Sequence, residues 1–284
     1  MATRSWGQSK LLTQKSWAII KENRYLLAFP ILGFLVSLLP LAVFWIPAGF
    51  FLLNNQNWVG IALAIVGVFA NQIVISISSG GLVAAADSEL AGQDSSIAHG
   101  IGRAFARIVP LIGWAFIATV VNVIVGAMRG RGGNGAADAL RNLAAAGVLA
   151  MWQLVTFFVL PLIMLEGQGP ISAIKQSFAL FRQKWGTQIF GGVRIGGLVG
   201  LVTILPGILL VLLGGWLAIS GSATALGFGV GVIVLGILLF MVGALLISTM
   251  RGIFSVVLYR FASQGTVEGG FTAEELTGAI RTAR

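Results

Sequence analysis

The apolar positions of this chain fall in six long runs, about 26–52, 58–86, 108–128, 140–165, 188–219 and 224–262. Each meets the roughly 18–20 residues that a helix needs to cross a bilayer. The pattern therefore predicts six membrane-spanning helices. The last run is longer than a bilayer requires, so its C-terminal end is expected to project or to lie along the surface. Pro40, Pro47, Pro110, Pro161 and Pro206 fall within or at the ends of runs. Kinks are expected there, because neighbouring helices can satisfy the freed backbone groups.

The polar linkers alternate in character. "NNQN" at 54–57, "RGRGGNGAAD" at 129–138 and "SGSA" at 220–223 are tight or glycine-rich, whereas 87–107 and 166–187 are longer. Within the second long linker, Ile171, Ile174, Phe178, Phe181 and Trp185 recur at helical spacing. Gln176, Ser177, Gln183 and Lys184 lie opposite, and Lys175 and Arg182 flank the stripe. An apolar stripe with basic flanks predicts a helix lying in the membrane interface. "KSWAIIK" at 15–21, "RAFARIV" at 103–109 and "QSFALFR" at 176–182 align as a small residue, an aromatic, then Ala, with an apolar residue two further on. The segments before the later two, "LAGQDSSIAHGIGRAFA" and "LEGQGPISAIKQSFA", align as well.

The expected fold is all-α and integral to the membrane: three repeated hairpins, each preceded by an amphipathic interfacial helix. It forms one membrane domain over 1–284, with units at about 8–87, 88–165 and 166–262. A surface helix at about 271–282 closes the chain, with Thr272 and Glu275 spaced as a capping box.

Composition agrees with the pattern. The chain is 57% hydrophobic and 10% charged, where a soluble domain would carry about a quarter charged residues. The net charge of +9 raises a nucleic-acid partner, but membrane proteins collect Lys and Arg in cytoplasmic loops. Five cations precede residue 26, two lie in 87–107, three in 166–187 and three follow 251, against Arg129, Arg131 and Arg141 on the other side. The bias predicts a multi-pass plasma (inner) membrane protein with both termini cytoplasmic and no nucleic-acid partner. The N-terminal stretch lacks a short apolar segment with a small-residue cleavage site, so the first run is expected to be retained. With no Cys and a single His, His99, neither disulfides, thiolate metal sites nor an all-histidine site can form within one chain. No metal or cofactor is expected.

"SWAIIKENRYLLAFPIL", "LPLIMLEGQGPISAIKQSFALFRQKWG" and "LYRFASQGTVEGGF" resemble an uncharacterised family of bacterial and archaeal six-span membrane proteins, labelled as a domain of unknown function. That family is distantly similar to YciC-type inner-membrane proteins and to the membrane domain attached to some glycerophosphodiester phosphodiesterases. The resemblance implies the six-span architecture and supplies no catalytic residues. The chain has no phosphodiesterase catalytic domain, so that activity is not implied.

Candidate chemistry is sparse. None of the nine acids lies inside a predicted span core, which disfavours a proton-coupled transporter. Arg194, Arg251, Lys175 and Arg182 are candidate contacts for a lipid head group or another anion; the plainer role of Arg194 and Arg251 is to snorkel to the interface. Asn71, Gln72, Asn122 and Gln153 can line a polar path or bond across helices. Gly192, Gly196 and Gly200, with Gly227 and Gly231, offer faces for close packing within the bundle or between subunits. "RGRGGNG" lacks the G-K-[ST] of a phosphate loop. Asp87 and Glu166 are the best carboxylates for any site, against a plainer role in capping or orienting the following surface helix. His99 is expected to be solvated or at a cap. No nucleophile–base pair is visible, so the chain is not expected to be an enzyme.

Three functions follow in order. The first is a non-catalytic membrane component acting through lipid contacts and through packing with itself, as a homo-oligomer, or with a membrane-protein partner. The second is a transporter or conduit for a lipid, an anion or a small solute. The third, an enzyme acting on lipid head groups, requires Glu166 or Asp87 beside a pocket.

Overall fold

The computed structural model describes residues 14–15, 17–129, 135–185, 200–219, 223–267 and 269–278. Every regular element among them is helical. A short helix over 17–22 (α1) leads into a rod made of a 3-10 turn Arg24–Leu27, α2 (Ala28–Pro40), a π turn Leu41–Trp45 and α3 (Ile46–Leu53). Then come α4 (Asn57–Leu90), α5 (Ile97–Ala106), α6 (Ile108–Met128), α7 (Ala136–Val155), α8 (Val159–Glu166) and α9 (Pro170–Trp185). A π turn at Gly200–Ile204 precedes α10 (Leu205–Ala218), followed by α11 (Ala223–Gln264) and α12 (Ala273–Gly278).

Five stretches among the described residues are long and apolar enough to cross a membrane: Arg24–Leu53, Asn57–Leu90, Ile108–Met128, Ala136–Glu166 and Thr224–Gln264. The expected run 188–219 enters only from residue 200, where Val202–Ala218 is a shorter apolar helix. The rest of that run, with Gly192, Arg194 and Gly196, lies outside the described residues.

The prolines account for the irregular turns. Inside a helix, proline offers no N–H to the carbonyl four residues back, and its ring pushes that carbonyl aside. Pro47 and Pro206 each stand two residues beyond a π turn, and the carbonyls they displace, of Val43 and Val202, sit at the centre of those widened turns. Pro161 acts likewise on Phe157, and the fourth span breaks between Val155 and Val159. Pro110 falls in the first turn of α6, where no intrahelical N–H bond is needed, and the helix is unbroken.

The break in the fourth span sets the orientation of α9. It leaves Val155 C=O and Phe158 N–H in need of partners, and Ser177 of α9 serves both. Its hydroxyl donates to Val155 O and accepts from Phe158 N–H at 3.2 Å. Ser177, expected on the polar face, is thus at the centre of the buried one, between Ala173 and Phe181. The expected stripe is divided: Phe181 packs inward and stacks on Phe158 at 4.7 Å between ring centroids, while Ile171 and Phe178 point outward.

Buried side chains gather at one end of the bundle. Leu82 to Ala86 of α4, Leu111 and Trp114 of α6, Leu162 to Met164 of α8 and Ile253, Phe254 and Val257 of α11 form one cluster. The short helices close around it, contributing Ile20 (α1), Ala104 (α5), Ala173 (α9) and Leu276 (α12). Helices α4 and α5 meet backbone to backbone, since a Cβ at Gly100 would lie 2.6 Å from the Gly81 carbonyl oxygen. The opposite end turns its apolar side chains outward. Leu53, Trp58 and Ile219 are 86%, 78% and 81% exposed, a surface suited to lipid and not to water.

There α11 packs chiefly on α10, along glycines spaced by seven. A Cβ at Gly214 or at Gly229 would lie 2.6 Å from the other's carbonyl oxygen, and Gly207 and Gly236 repeat the arrangement at 2.9 and 2.7 Å. Gly227 and Gly231, expected to pack within the bundle or between subunits, have nothing within 4 Å of a built Cβ and make no close approach among the described residues. Helix rotation decides this: Gly229 and Gly236 occupy the face toward α10 and Gly243 meets the π turn before it, while Gly227 and Gly231 fall off that face.

Candidate functional site

Asp87 and Glu166 serve to join spans. Because α4 continues to Leu90, Asp87 sits within a long helix and pairs with Arg260 of α11 at 2.8 Å. The Arg260 guanidinium also donates to the Asp87 carbonyl at 3.0 Å. Glu166 closes α8, and its carboxylate accepts from the Tyr259 hydroxyl, from Gln168 at 2.6 Å and from Gln176 of α9 at 3.2 Å. It thus orients the following helix, as expected, and additionally holds α11. Asp87 does not cap α5; that role falls to Ser96, whose hydroxyl accepts from His99 N–H at 3.1 Å. His99 is therefore in the cap through its backbone. Gly167, in the left-handed region at φ 71°, ends α8 under the Arg107 guanidinium, whose atoms would lie 2.6–2.8 Å from a Cβ there.

A second tie joins the two ends of the described chain. Thr272 and Glu275 form the expected capping box at 2.8 and 3.2 Å. Lys15 reaches Glu275 at 2.6 Å and stands 5.7 Å from the Phe271 ring centroid. Burial alone pushes the Glu275 carboxyl up, but the bond from Lys15 and those from Thr272 outweigh it and hold the group below its ordinary value of 4.5.

A concave site with polar groups lies elsewhere. A cavity of about 510 Å³ opens between α4, α6, the α7–α8 break and α11, bounded by Ile204 of the second π turn. Its polar groups are Arg251 and the hydroxyls of Ser79, Thr156, Ser248 and Ser255; Trp114, Phe157 and Leu82 are among its apolar walls. Ser248, Arg251 and Ser255 recur at i, i+3 and i+7 on one face of α11. Arg251 is exposed at the mouth and makes no hydrogen bond or ion pair among the described residues. No carboxylate is among the described lining residues, and the single acid outside the described residues is Glu268. The hydroxyls divide by role. Thr156 and Ser255 donate to Trp152 O and Gly252 O at 2.7 Å each, so lone pairs remain to accept. Ser79 and Ser248 make no hydrogen bond among the described residues and are free to donate.

Of the residues singled out in the sequence, the cavity contains Arg251. Lys175 and Arg182 are exposed on α9. Asn71 and Gln72 are half-buried, Asn122 and Gln153 exposed, and none of the four makes the cross-helix hydrogen bond expected of it among the described residues. Most of "RGRGGNG", residues 130–134, lies outside the described residues. Sequence reasoning missed Ser79, Thr156, Ser248 and Ser255. Their signal was available in part: three-residue and seven-residue spacings from Arg251 place Ser248 and Ser255 on one face.

Among known proteins, no curated protein and no solved structure matches the chain. A family model does match, over residues 59–270, and it is described as a family of unknown function, DUF6159. Neither the YciC-type proteins nor the phosphodiesterase membrane domain enters that match. The matched region runs from the start of α4 past the end of α11 and includes every residue lining the Arg251 cavity. The chain belongs to the DUF6159 family of unknown function.

Proposed function

We propose that this protein is a non-catalytic membrane component that holds an anionic amphiphile of the inner leaflet in the Arg251 cavity. The observation that carries the reading is an arginine without a partner among the described residues, at the mouth of a cavity walled by hydroxyls and apolar side chains. A cation so placed attracts phosphate or carboxylate head groups, while apolar walls accept acyl chains. Asp87 and Glu166 are both engaged in joining helices and are absent from the cavity's described lining. That engagement argues against the lipid-enzyme reading.

In this proposal the chain spans the plasma membrane six times, the apolar run 188–219 supplying the sixth span, with both termini cytoplasmic. Three repeats are supported by matched exposure of the aligned aromatics, and the later two also by matched burial. Trp17, Phe105 and Phe178 are all exposed, whereas Ala104 and Ser177, one residue earlier, are fully buried. Aromatics outward with Lys21, Arg103 and Arg182 nearby suit helices resting on an anionic bilayer surface. Gly227 and Gly231, open to the surroundings, leave room for a second copy or a membrane partner.

The test is native mass spectrometry of the full-length protein extracted gently from its own membrane. The expected result is a retained anionic lipid that is lost in Arg251→Gln; identical lipid content in both proteins would refute the reading. A conduit is the second reading, favoured by Gln72 and Ser76 of α4. Gln72 stands two turns before Ser79 on the same face, and the buried Ser76 hydroxyl has no hydrogen-bond partner among the described residues. Lipid scrambling in proteoliposomes that Gln72→Leu abolishes would put the conduit first.

A further inference from the structure

Resting on the lipid-binding reading, we infer that the Arg251 cavity selects a phosphate diester bearing a hydroxylated, uncharged head, as in a phosphoglycerol lipid, over zwitterionic lipids. The argument is a count of donors, acceptors and charge. Arg251, Ser79 and Ser248 offer hydrogens with no competing partner among the described residues, and they suit the oxygens of one phosphate. Thr156 and Ser255 have already given their hydrogens to Trp152 O and Gly252 O. Their remaining lone pairs suit a head group that brings hydroxyl donors of its own. The described lining holds no carboxylate. An ethanolamine or choline head would bring its cation to a wall that already carries Arg251 and has no counter-charge among its described residues. Removing that cation and substituting a glycerol meets each available group once. Free phosphate or glycerol phosphate shares the polar chemistry but leaves Leu82, Trp114 and Phe157 uncovered, so the apolar walls favour the lipid-borne form.

The experiment uses full-length protein in detergent, offered phosphatidylglycerol, phosphatidic acid, phosphatidylethanolamine and phosphatidylcholine with identical acyl chains, with bound lipid counted by native mass spectrometry. Phosphatidylglycerol is expected to be retained about tenfold over both zwitterionic lipids, the preference one charge pair can supply near a membrane surface. Arg251→Gln removes that preference. Thr156→Val combined with Ser255→Ala lowers phosphatidylglycerol to the level of phosphatidic acid and leaves phosphatidic acid unchanged, with an unaltered unfolding midpoint. Equal retention of all four lipids, lost together in Arg251→Gln, would overturn the head-group inference and leave the lipid-binding proposal standing. Retention indifferent to Arg251 would overturn both. Displacement of bound lipid by equimolar glycerol phosphate or inorganic phosphate would assign the site to a soluble anion and overturn the lipid-borne form.

Discussion

Replacing Ser177 by Ala removes one oxygen and unsatisfies two backbone groups. In the folded protein that oxygen accepts from Phe158 N–H at 3.2 Å and donates to Val155 O. Phe158 and Ser177 are both fully buried where α9 meets the break in the fourth span, and Phe158 stacks on Phe181 of α9. A buried backbone group left without a partner costs about 1–3 kcal/mol. The Phe158 N–H bears that cost in full, whereas the half-buried Val155 C=O bears less. The expected loss is about 2–4 kcal/mol. Ser263→Ala is the control, because Ser263 is an exposed residue whose hydroxyl donates to Tyr259 O, one turn back on α11 at 2.8 Å, within an unbroken helix. Such a bond contributes under about 0.5 kcal/mol, since the carbonyl keeps its helical partner. Both are measured by unfolding in mixed micelles with rising dodecyl sulfate, followed by tryptophan fluorescence. Trp114 and Trp152, stacked at 5.8 Å, lie close to the break and report its loss. If Ser177→Ala and Ser263→Ala differ by less than about 0.5 kcal/mol, the account of the fourth-span break is wrong.

Gly229→Ala brings a Cβ to 2.6 Å from Gly214 O and 2.7 Å from Ala218 N, so the same titration should show a loss of about 1–3 kcal/mol. Gly227→Ala meets nothing within 4 Å and should be neutral or gain up to about 1 kcal/mol from helix propensity. Because the Glu275 carboxyl is held below 4.5 in the folded protein, its tie to Lys15 should be fully present above that pH and be lost as pH falls through the lowered value. Limited proteolysis of the C-terminal segment across that window checks it: Lys15→Met should flatten the dependence, and an unchanged profile would remove Glu275 from the account. The pair is partly exposed, so its whole contribution should stay below about 1 kcal/mol. Single cysteines at exposed Gln56 and Gln93 should label from outside and inside the cell respectively, and the reverse would invert the proposed topology.

The membrane-crossing pattern was legible because burial in lipid imposes one requirement on every side chain of a span. The third run, 108–128, coincides with α6, and Pro47, Pro161 and Pro206 marked where helices deviate, although Pro110 did not. Which groups meet across helices was less legible. Ser177 reads as polar by residue type, and only the gap opened by Pro161 makes it a core residue. Gly227 and Gly231 read like Gly229 and Gly236 until the rotation of α11 against α10 is known. Asp87 and Glu166 were found by scarcity, but their partners Arg260 and Tyr259 lie 173 and 93 residues away, beyond any local pattern. Arg251 stood out as a charge near a span; the hydroxyls that make it a site come from three separate stretches of chain.

The cavity has a cause in how α11 changes partners along its length. From Met250 onward its side chains enter the cluster formed with α4, α6 and α8. Before Gly243 it runs against α10, with glycines bringing the backbones too close for any other residue. Ala244, Ile247, Ser248 and Arg251 fall between the two regimes and line the cavity together with Ile204 of the π turn before Pro206. A helix held tightly on different neighbours above and below cannot touch both at the crossover, so space opens there. Large apolar residues at 248 and 251 would close that space and stabilise the bundle by burial. The chain carries Ser and Arg instead, at the one level where packing is least able to use them.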